Sequence, residues 1–333
     1  MTTMSTAPTV LALLATLAPG AHAQPRDVEL GLFLVDITAL DERIEIYTAE
    51  FDVIARWQHP RAAFTPAPGE EVPRLFVGPA AETYLDSTWN PELFAVNRAR
   101  PATDIRPRVY GHPDGTVVLR VRFQNDLRAR MDFRKFPFDK QALPVIVESL
   151  EHDVDEVRIV PNNGFTGFDE SFEIPEWSVA DLTVEESHHL RPQEGQEYDR
   201  LTFNVHLERN SGYYLWKIML PIMVIVMISW IVFWMSEEML GRRAGISATG
   251  MLTVIAYQFV VGGFLPRLPY QTTLDWFMLV SLMVIAATMF VTLLGSRSQP
   301  ERRTAIDKSC RIAFPAVYYA AVGLVVLLGV TGG

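Results

Sequence analysis

Four apolar stretches, residues 214–235, 246–265, 273–294 and 312–330, follow one another in the C-terminal part of the chain. Each is close to the ~20 residues a helix needs to cross a hydrocarbon core, where only helices and closed barrels satisfy their own backbone polar groups. A wholly soluble protein is thereby excluded, and so is intrinsic disorder. The charge lies elsewhere. Residues 213–333 carry nine Lys or Arg and five Asp or Glu, whereas residues 1–212 carry 20 and 34, so an acidic polar half precedes an apolar, slightly basic one. No basic surface is present for nucleic acid, and none is expected as a partner.

The polar half opens with a short apolar run, residues 10–19, followed by Ala21-His22-Ala23. This is the pattern of a secretory signal cleaved after Ala23, although no Lys or Arg precedes the apolar run; an uncleaved anchor is the alternative. Export of the N-terminus would leave loops 236–244 and 295–311 inside, with Arg242, Arg243, Arg297, Arg302, Arg303, Lys308 and Arg311. The outer turn near Pro266 holds only Arg267. Positive-inside bias and leader therefore agree on one orientation, with residues 24–212 and the C-terminus outside. Cys310 is the single cysteine, so no intrachain disulfide can form and the outer domain must rely on its core.

Between residues 24 and 212 the apolar period is two. Leu201, Phe203, Val205 and Leu207 alternate with polar neighbours, as do Phe51, Val53, Ala55 and Trp57; Val117, Leu119, Val121 and Phe123 follow the turn sequence His112-Pro113-Asp114-Gly115. Half-buried strands punctuated by Pro and Gly predict an antiparallel β-sandwich, joined to a four-helix membrane domain at 213–333.

The second span carries a further pattern. Gly245, Thr249, Leu252, Ala256, Phe259 and Gly263 recur at steps of four and three, one helical stripe graded from small and polar to apolar. Copies of this helix around a water path would use Leu252 and Phe259 as dewetting rings and Thr249 to hydrate an ion. Hydroxyls at Ser247, Thr249 and Thr253 could equally serve helix–helix contacts, so the stripe alone leaves the pore open.

Several motifs, in order, resemble the pentameric ligand-gated ion channel (Cys-loop receptor) family in its bacterial branch. Residues 131–141, Met-Asp-Phe-Arg-Lys-Phe-Pro-Phe-Asp-Lys-Gln, match the family's F-P-F-D loop, with Ala129 and Leu143 where its two cysteines stand. Trp89, Pro91 and Asn97 match W-x-P-x-x-x-x-x-N. Arg209 with 213–216 and Pro221 resembles the entry into the first span, and Leu265-Pro266-Arg267-Leu268-Pro269-Tyr270 the loop after the pore helix. The resemblance implies a homopentamer in a bacterial inner membrane, embedded in lipid, passing inorganic ions and gated by a small molecule bound between outer domains.

It also implies roles. Glu42, Arg209 and Asp139 would form an acid–base–acid joint, with Phe136, Pro137 and Phe138 pressing on Pro266, Arg267 and the residues up to Tyr270. Phe94, Glu148, Leu150 and Tyr198 match agonist-site positions. Phe94 and Tyr198 could hold an ammonium by cation–ring attraction, with Glu148 as counter-charge. Leu150 replaces a common aromatic, which suits a primary amine better than a quaternary one. Trp57 and Trp177 match family tryptophans that are mostly core residues.

Protons are a second candidate stimulus, through His152, His188 and His189. The His188–His189 pair has no spacing specific for a metal, and no metal or other cofactor is expected. At the inner mouth Arg242 and Arg243 favour anions, while Glu237, Glu238 and the acidic outer domain favour cations, leaving the ion's sign open. A non-conducting sensory protein remains a third reading. An enzyme is disfavoured by the lack of a nucleophile elbow, phosphate loop or metal motif.

Overall fold

The computed structural model describes residues 24–101, 103–236 and 239–331. The expected leader, residues 1–23, and Glu237 and Glu238 lie outside the described residues.

Among the described residues the outer segment forms eleven strands: β1 (Arg26–Asp41), β2 (Ile46–Gln58), β3 (Arg74–Val77), β4 (Leu93–Ala95), β5 (Thr103–Gly111), β6 (Thr116–Arg128), β7 (Lys140–Ser149), β8 (Val157–Pro161), β9 (Gly167–Phe168), β10 (Trp177–Arg191) and β11 (Gln196–Arg209). One sheet runs β3-β5-β6-β2-β1-β8 with β9 also beside β1, and the other runs β10-β11-β7-β4. Pairing is antiparallel except that β8 and β9 run parallel to β1. The exception has a topological cause. The chain leaves the second sheet at β7 and re-enters the first, so β8 arrives by a crossover and not by a hairpin.

The alternating residues face inward as their period requires. Phe51, Ala55, Trp57, Leu201, Phe203, Val205 and Leu207 are all at most 2% exposed, and Trp57 packs edge-on against Trp89. At roughly 1.5–3 kcal/mol per fully buried large side chain, this core can hold the domain without a disulfide.

Among the described residues four helices follow, at Gly212–Trp234, Leu240–Val261, Thr273–Gly295 and Pro300–Thr331, each long and apolar enough to cross a membrane. Two extend beyond the apolar stretches. The second begins at Leu240, and the fourth at Pro300, so most of the expected inner loop 295–311 is helical. Hydropathy marks only the part of a helix inside hydrocarbon, whereas the backbone continues into the wet interface, where the exposed Arg302 and Lys308 are tolerated. In the first span, a π turn at Leu215–Met219 precedes Pro221, which lacks the N–H needed for a regular ladder.

The third span lies at the bundle's centre and buries Leu274, Phe277, Met278, Ser281, Ile285, Thr288 and Thr292. Its first turn is capped by Thr272, whose hydroxyl accepts from the Asp275 amide while the Asp275 carboxylate accepts in return. The fourth helix crosses at Gly329. A Cβ there would come within 2.6 Å of Thr273 Cγ2, so this crossing requires glycine.

Candidate functional site

The second span has two unlike faces. Arg243, Ser247, Gly250, Val254 and Val261 are buried against the other spans. Gly245, Thr249, Leu252, Ala256 and Phe259 are exposed on the single chain, Leu252 by 67% and Phe259 by 81%. Gly263 is exposed too, but it lies in the turn after the helix ends at Val261, so the helical stripe closes at Phe259. This face has no partner among the described residues of the single chain.

The two arginines of the inner mouth separate. Arg242 is exposed and stands one turn before Gly245 on the open face. Arg243 does not belong to the mouth: it is 1% exposed, and its Nη2 donates to the Asp307 carboxylate of the fourth helix at 2.9 Å. Consecutive helical residues point ~100° apart, so adjacent arginines cannot share one axis. Asp307 was not singled out from sequence. Its signal lay in being the acid nearest the middle of a basic interfacial turn.

At the other end of the spans the expected acid–base–acid joint is assembled. Arg209 Nε donates to Asp139 Oδ1 at 2.7 Å and Nη2 to Oδ2 at 3.2 Å, while Nη1 and Nη2 donate to the two Glu42 oxygens at 2.8 and 2.9 Å. Burial opposes the guanidinium charge, but the hydrogen bonds it donates to Asp139 and Glu42 more than reverse this and raise the Arg209 pKa above its ordinary value. Trp177 lies 4.1 Å from the guanidinium and Phe136 4.8 Å from it, walling it with rings. Trp177 is thus more than a core residue. Gln141 donates to Asp139 Oδ2 at 2.6 Å, completing the shell.

The F-P-F-D loop reaches the spans by backbone bonds. The Arg134 carbonyl accepts from the Thr273 amide at 3.0 Å, and the Phe136 carbonyl from Leu274 at 3.1 Å, so the loop supplies two acceptors to the unpaired first turn of the third span. The Tyr270 hydroxyl oxygen adds to this contact by accepting from the Phe133 amide at 3.2 Å. The Phe136 ring packs on Tyr214 at 4.6 Å. Pro137 is buried and follows a cis bond. Phe138 lines a cavity of about 820 Å³ with Lys135, Tyr270 and Trp276. Pro266 and Arg267 line a cleft together with Arg43, Ile44 and Glu45 of the β1–β2 turn and Met131 of the F-P-F-D loop.

The agonist-site positions converge, but their chemistry differs from the sequence reading. Glu148 is 1% exposed and is not a free counter-charge: Arg200 Nε donates to it at 2.6 Å and Arg191 Nη2 at 3.2 Å. Arg191 also lies 3.5 Å over the Tyr198 ring and 5.9 Å from Phe94. The ring pair expected to receive an amine already faces a guanidinium. Tyr198 is 2% exposed; its hydroxyl donates to Glu194, and that carboxylate, aided by burial, raises the phenol's pKa. Leu150 projects into solvent, 51% exposed, while its carbonyl accepts from Arg191 at 2.8 Å. Arg191 and Arg200 were missed because the pairing that sets Arg200 opposite Glu148 is a β7–β11 register, invisible without the sheet.

The histidines divide. His152 Nδ1 is 2.7 Å from Glu156, with its ring 5.3 Å from Trp89; His188 Nδ1 is 2.9 Å from Asp199; His189 Nδ1 is 3.8 Å from Glu148.

Comparison with known proteins agrees with this division of the molecule. Residues 15–211 match the family model described as neurotransmitter-gated ion-channel ligand binding domain, and residues 218–305 that of the neurotransmitter-gated ion-channel transmembrane region. The chain is 27% identical over 310 residues to a proton-gated ion channel of Gloeobacter violaceus, covering 91% of this chain and 83% of that one. It is 26% identical over 213 residues to a gamma-aminobutyric acid receptor subunit beta of Lymnaea stagnalis, covering 62% of this chain and 42% of that longer subunit.

Proposed function

From the premise that this chain belongs to the neurotransmitter-gated ion channel family, we propose that five copies form a ligand-gated pore lined by the second span. The observation carrying this reading is the exposed face Gly245, Thr249, Leu252, Ala256 and Phe259 on a helix whose opposite face is packed. Closed, the Leu252 and Phe259 rings keep the conduit dry; opened, Thr249 hydrates the ion. The assembly lies in a bacterial inner membrane with residues 24–212 outside, an orientation supported by the basic inner turns.

Stimulus reaches the pore along β7 and β11. Glu148 pairs with Arg200 near one end of this ladder, and Lys140 with Glu208 at the other, one residue from the Asp139–Arg209 joint. Nine residues of strand span ~30 Å, a stiff link between stimulus site and spans. Movement of the joint shifts the F-P-F-D loop, and with it the third span's first turn. A ligand favours opening only as far as it binds the open state more tightly.

Five Arg242 side chains at the inner mouth favour anions, against an acidic outer vestibule that concentrates cations. Planar-bilayer recording with asymmetric salt tests both conduction and sign. Silence across amines, amino acids and pH 4–8 would favour a non-conducting sensory protein instead.

Proton gating is the second reading, favoured by the His152–Glu156 pair and by likeness to a proton-gated channel. Protonation turns His152 into a donor at both nitrogens, suited to Glu156 on one side and to the Asn90 carbonyl at 3.2 Å on the other. Currents evoked by an acid jump without any amine, and lost in His152→Gln, distinguish it from amine gating.

A further inference from the structure

We infer that Arg191 is a resident cation: the chain's own guanidinium occupies the aromatic cage at the end of the β10–β11 hairpin, and a small external guanidinium or primary ammonium compound binds by exchanging with it. The inference deepens the channel reading by naming the ligand class and the event that admits it.

The contacts of Arg191 are those a bound organic cation would make. Its guanidinium lies over Tyr198 at 3.5 Å, a distance at which ring faces attract cations strongly when water is excluded. Nη1 donates to the Leu150 carbonyl at 2.8 Å, and Nη2 to the Ser149 carbonyl at 2.7 Å and to Glu148 at 3.2 Å. Glu194 adds a second carboxylate at 3.6 Å. Two carbonyls, two carboxylates and a ring all accept; none donates. The site is built for a cation bearing several N–H groups.

It is also built to be reversible. Glu148 keeps Arg200 as a second partner at 2.6 Å, so withdrawing Arg191 does not strand a buried carboxylate. Arg191 is the last residue of β10 and its side chain bonds across to the end of β7, so the guanidinium fastens the hairpin tip to the sheet. The tip, 192–195, turns on Gly195 at φ +70°, a conformation that glycine adopts without strain. Exchange of Arg191 for a free cation is therefore the same event as release of the hairpin, with the cage refilled and the latch undone.

The test uses the full chain in lipid nanodiscs, the variants Arg191→Ala and Arg191→Gln, and n-propylguanidinium chloride as probe, with sodium chloride at equal ionic strength as control. Hydrogen exchange is followed over residues 187–200, with β2 and β6 as the internal reference for folding. In both variants hairpin amides should exchange at least tenfold faster than in the parent while β2 and β6 are unchanged, and millimolar probe should restore protection. The parent should bind the probe at least tenfold more weakly than Arg191→Ala, and adding Tyr198→Ala to Arg191→Ala should abolish the rescue. Arg191→Gln keeps a polar side chain with N–H donors, but it is shorter than arginine and carries no charge, so it reports on the cage if the alanine variant folds poorly. Equal hairpin exchange in parent and both variants would overturn the inference, as would equal probe affinity in parent and variant, or rescue that survives loss of Tyr198. Failure of the channel reading shows up separately, as silence of the parent in bilayers with hairpin exchange unaffected.

Discussion

The two ends of the β7–β11 ladder carry buried charge clusters of opposite construction. At the membrane end one arginine, Arg209, is held by two carboxylates, Asp139 and Glu42. At the far end one carboxylate, Glu148, is held by two arginines, Arg191 and Arg200. The difference is in the walls. Arg209 is enclosed by Trp177, Phe136 and Tyr214, and its charge has nowhere to go if a partner is lost. Arg191 is on a hairpin end beside solvent, 16% exposed, and can leave. One cluster is a permanent joint, and the other is a clasp. In the gating scheme proposed above, this is a division of labour in which the outer end sets how readily the stimulus acts and the inner end transmits it.

That division can be broken at its strongest point first. Arg209→Ala removes the centre of the joint and leaves Asp139 buried without its cation, a loss of about 3–5 kcal/mol for such a pair. Bilayer current at saturating stimulus should fall below detection while gel filtration still shows the assembled oligomer; normal currents would end the transmitting role. Glu148→Gln should instead shift the half-activating stimulus while leaving the maximal current measurable in the same bilayers. Equal loss of maximal current in both variants would erase the distinction between joint and clasp.

A similar contrast applies to the adjacent arginines of the second span. Arg242→Glu should move the reversal potential in asymmetric salt toward cations without changing expression. Arg243→Glu places a second carboxylate against Asp307 and should cut oligomer yield, recovered in Arg243→Glu/Asp307→Arg; a selectivity change from Arg243→Glu equal to that from Arg242→Glu would return Arg243 to the mouth.

Smaller effects sharpen the comparison. Leu252→Ser wets the constriction and should lower the half-activating stimulus by roughly tenfold, about 1.4 kcal/mol. It should offset Glu148→Gln in a double variant but leave Arg209→Ala silent, as current recordings would show. The smallest effect expected is at His59, buried near Arg26 and Arg61 in the outer domain, where burial, then those charges, depress its pKa below the ordinary 6.5. The unfolded chain takes up the proton near 6.5 and the folded chain only at lower pH. His59 therefore lowers stability progressively as pH falls below that value, and thermal melts at pH 7 and 5 should differ less in His59→Gln than in the parent.

Much of this was legible from residue order. The period-two runs became the inward faces of β2, β6 and β11, and the stripe from Gly245 to Phe259 is the exposed face of its helix. Glu42, Asp139 and Arg209 came together although 97 and 70 residues separate them, because the F-P-F-D motif marked the loop that gathers them. Less legible was everything depending on which neighbour claims a charge. Glu148 looked like a free counter-ion because Arg200 is 52 residues away and becomes its partner only through the ladder. Arg242 and Arg243 looked equivalent until the fourth helix supplied Asp307 to one of them.

Residue order alone specifies the layers, the spans and the sides each element shows to core, lipid or water. Those follow from periodicity and hydropathy, which are properties of consecutive residues. The fate of each buried charge depends on contacts that exist only once the chain has folded. A guanidinium has several donors and no preferred partner along the chain, so its role is settled by whichever carboxylate, carbonyl or ring the folded backbone brings within about 3–4 Å.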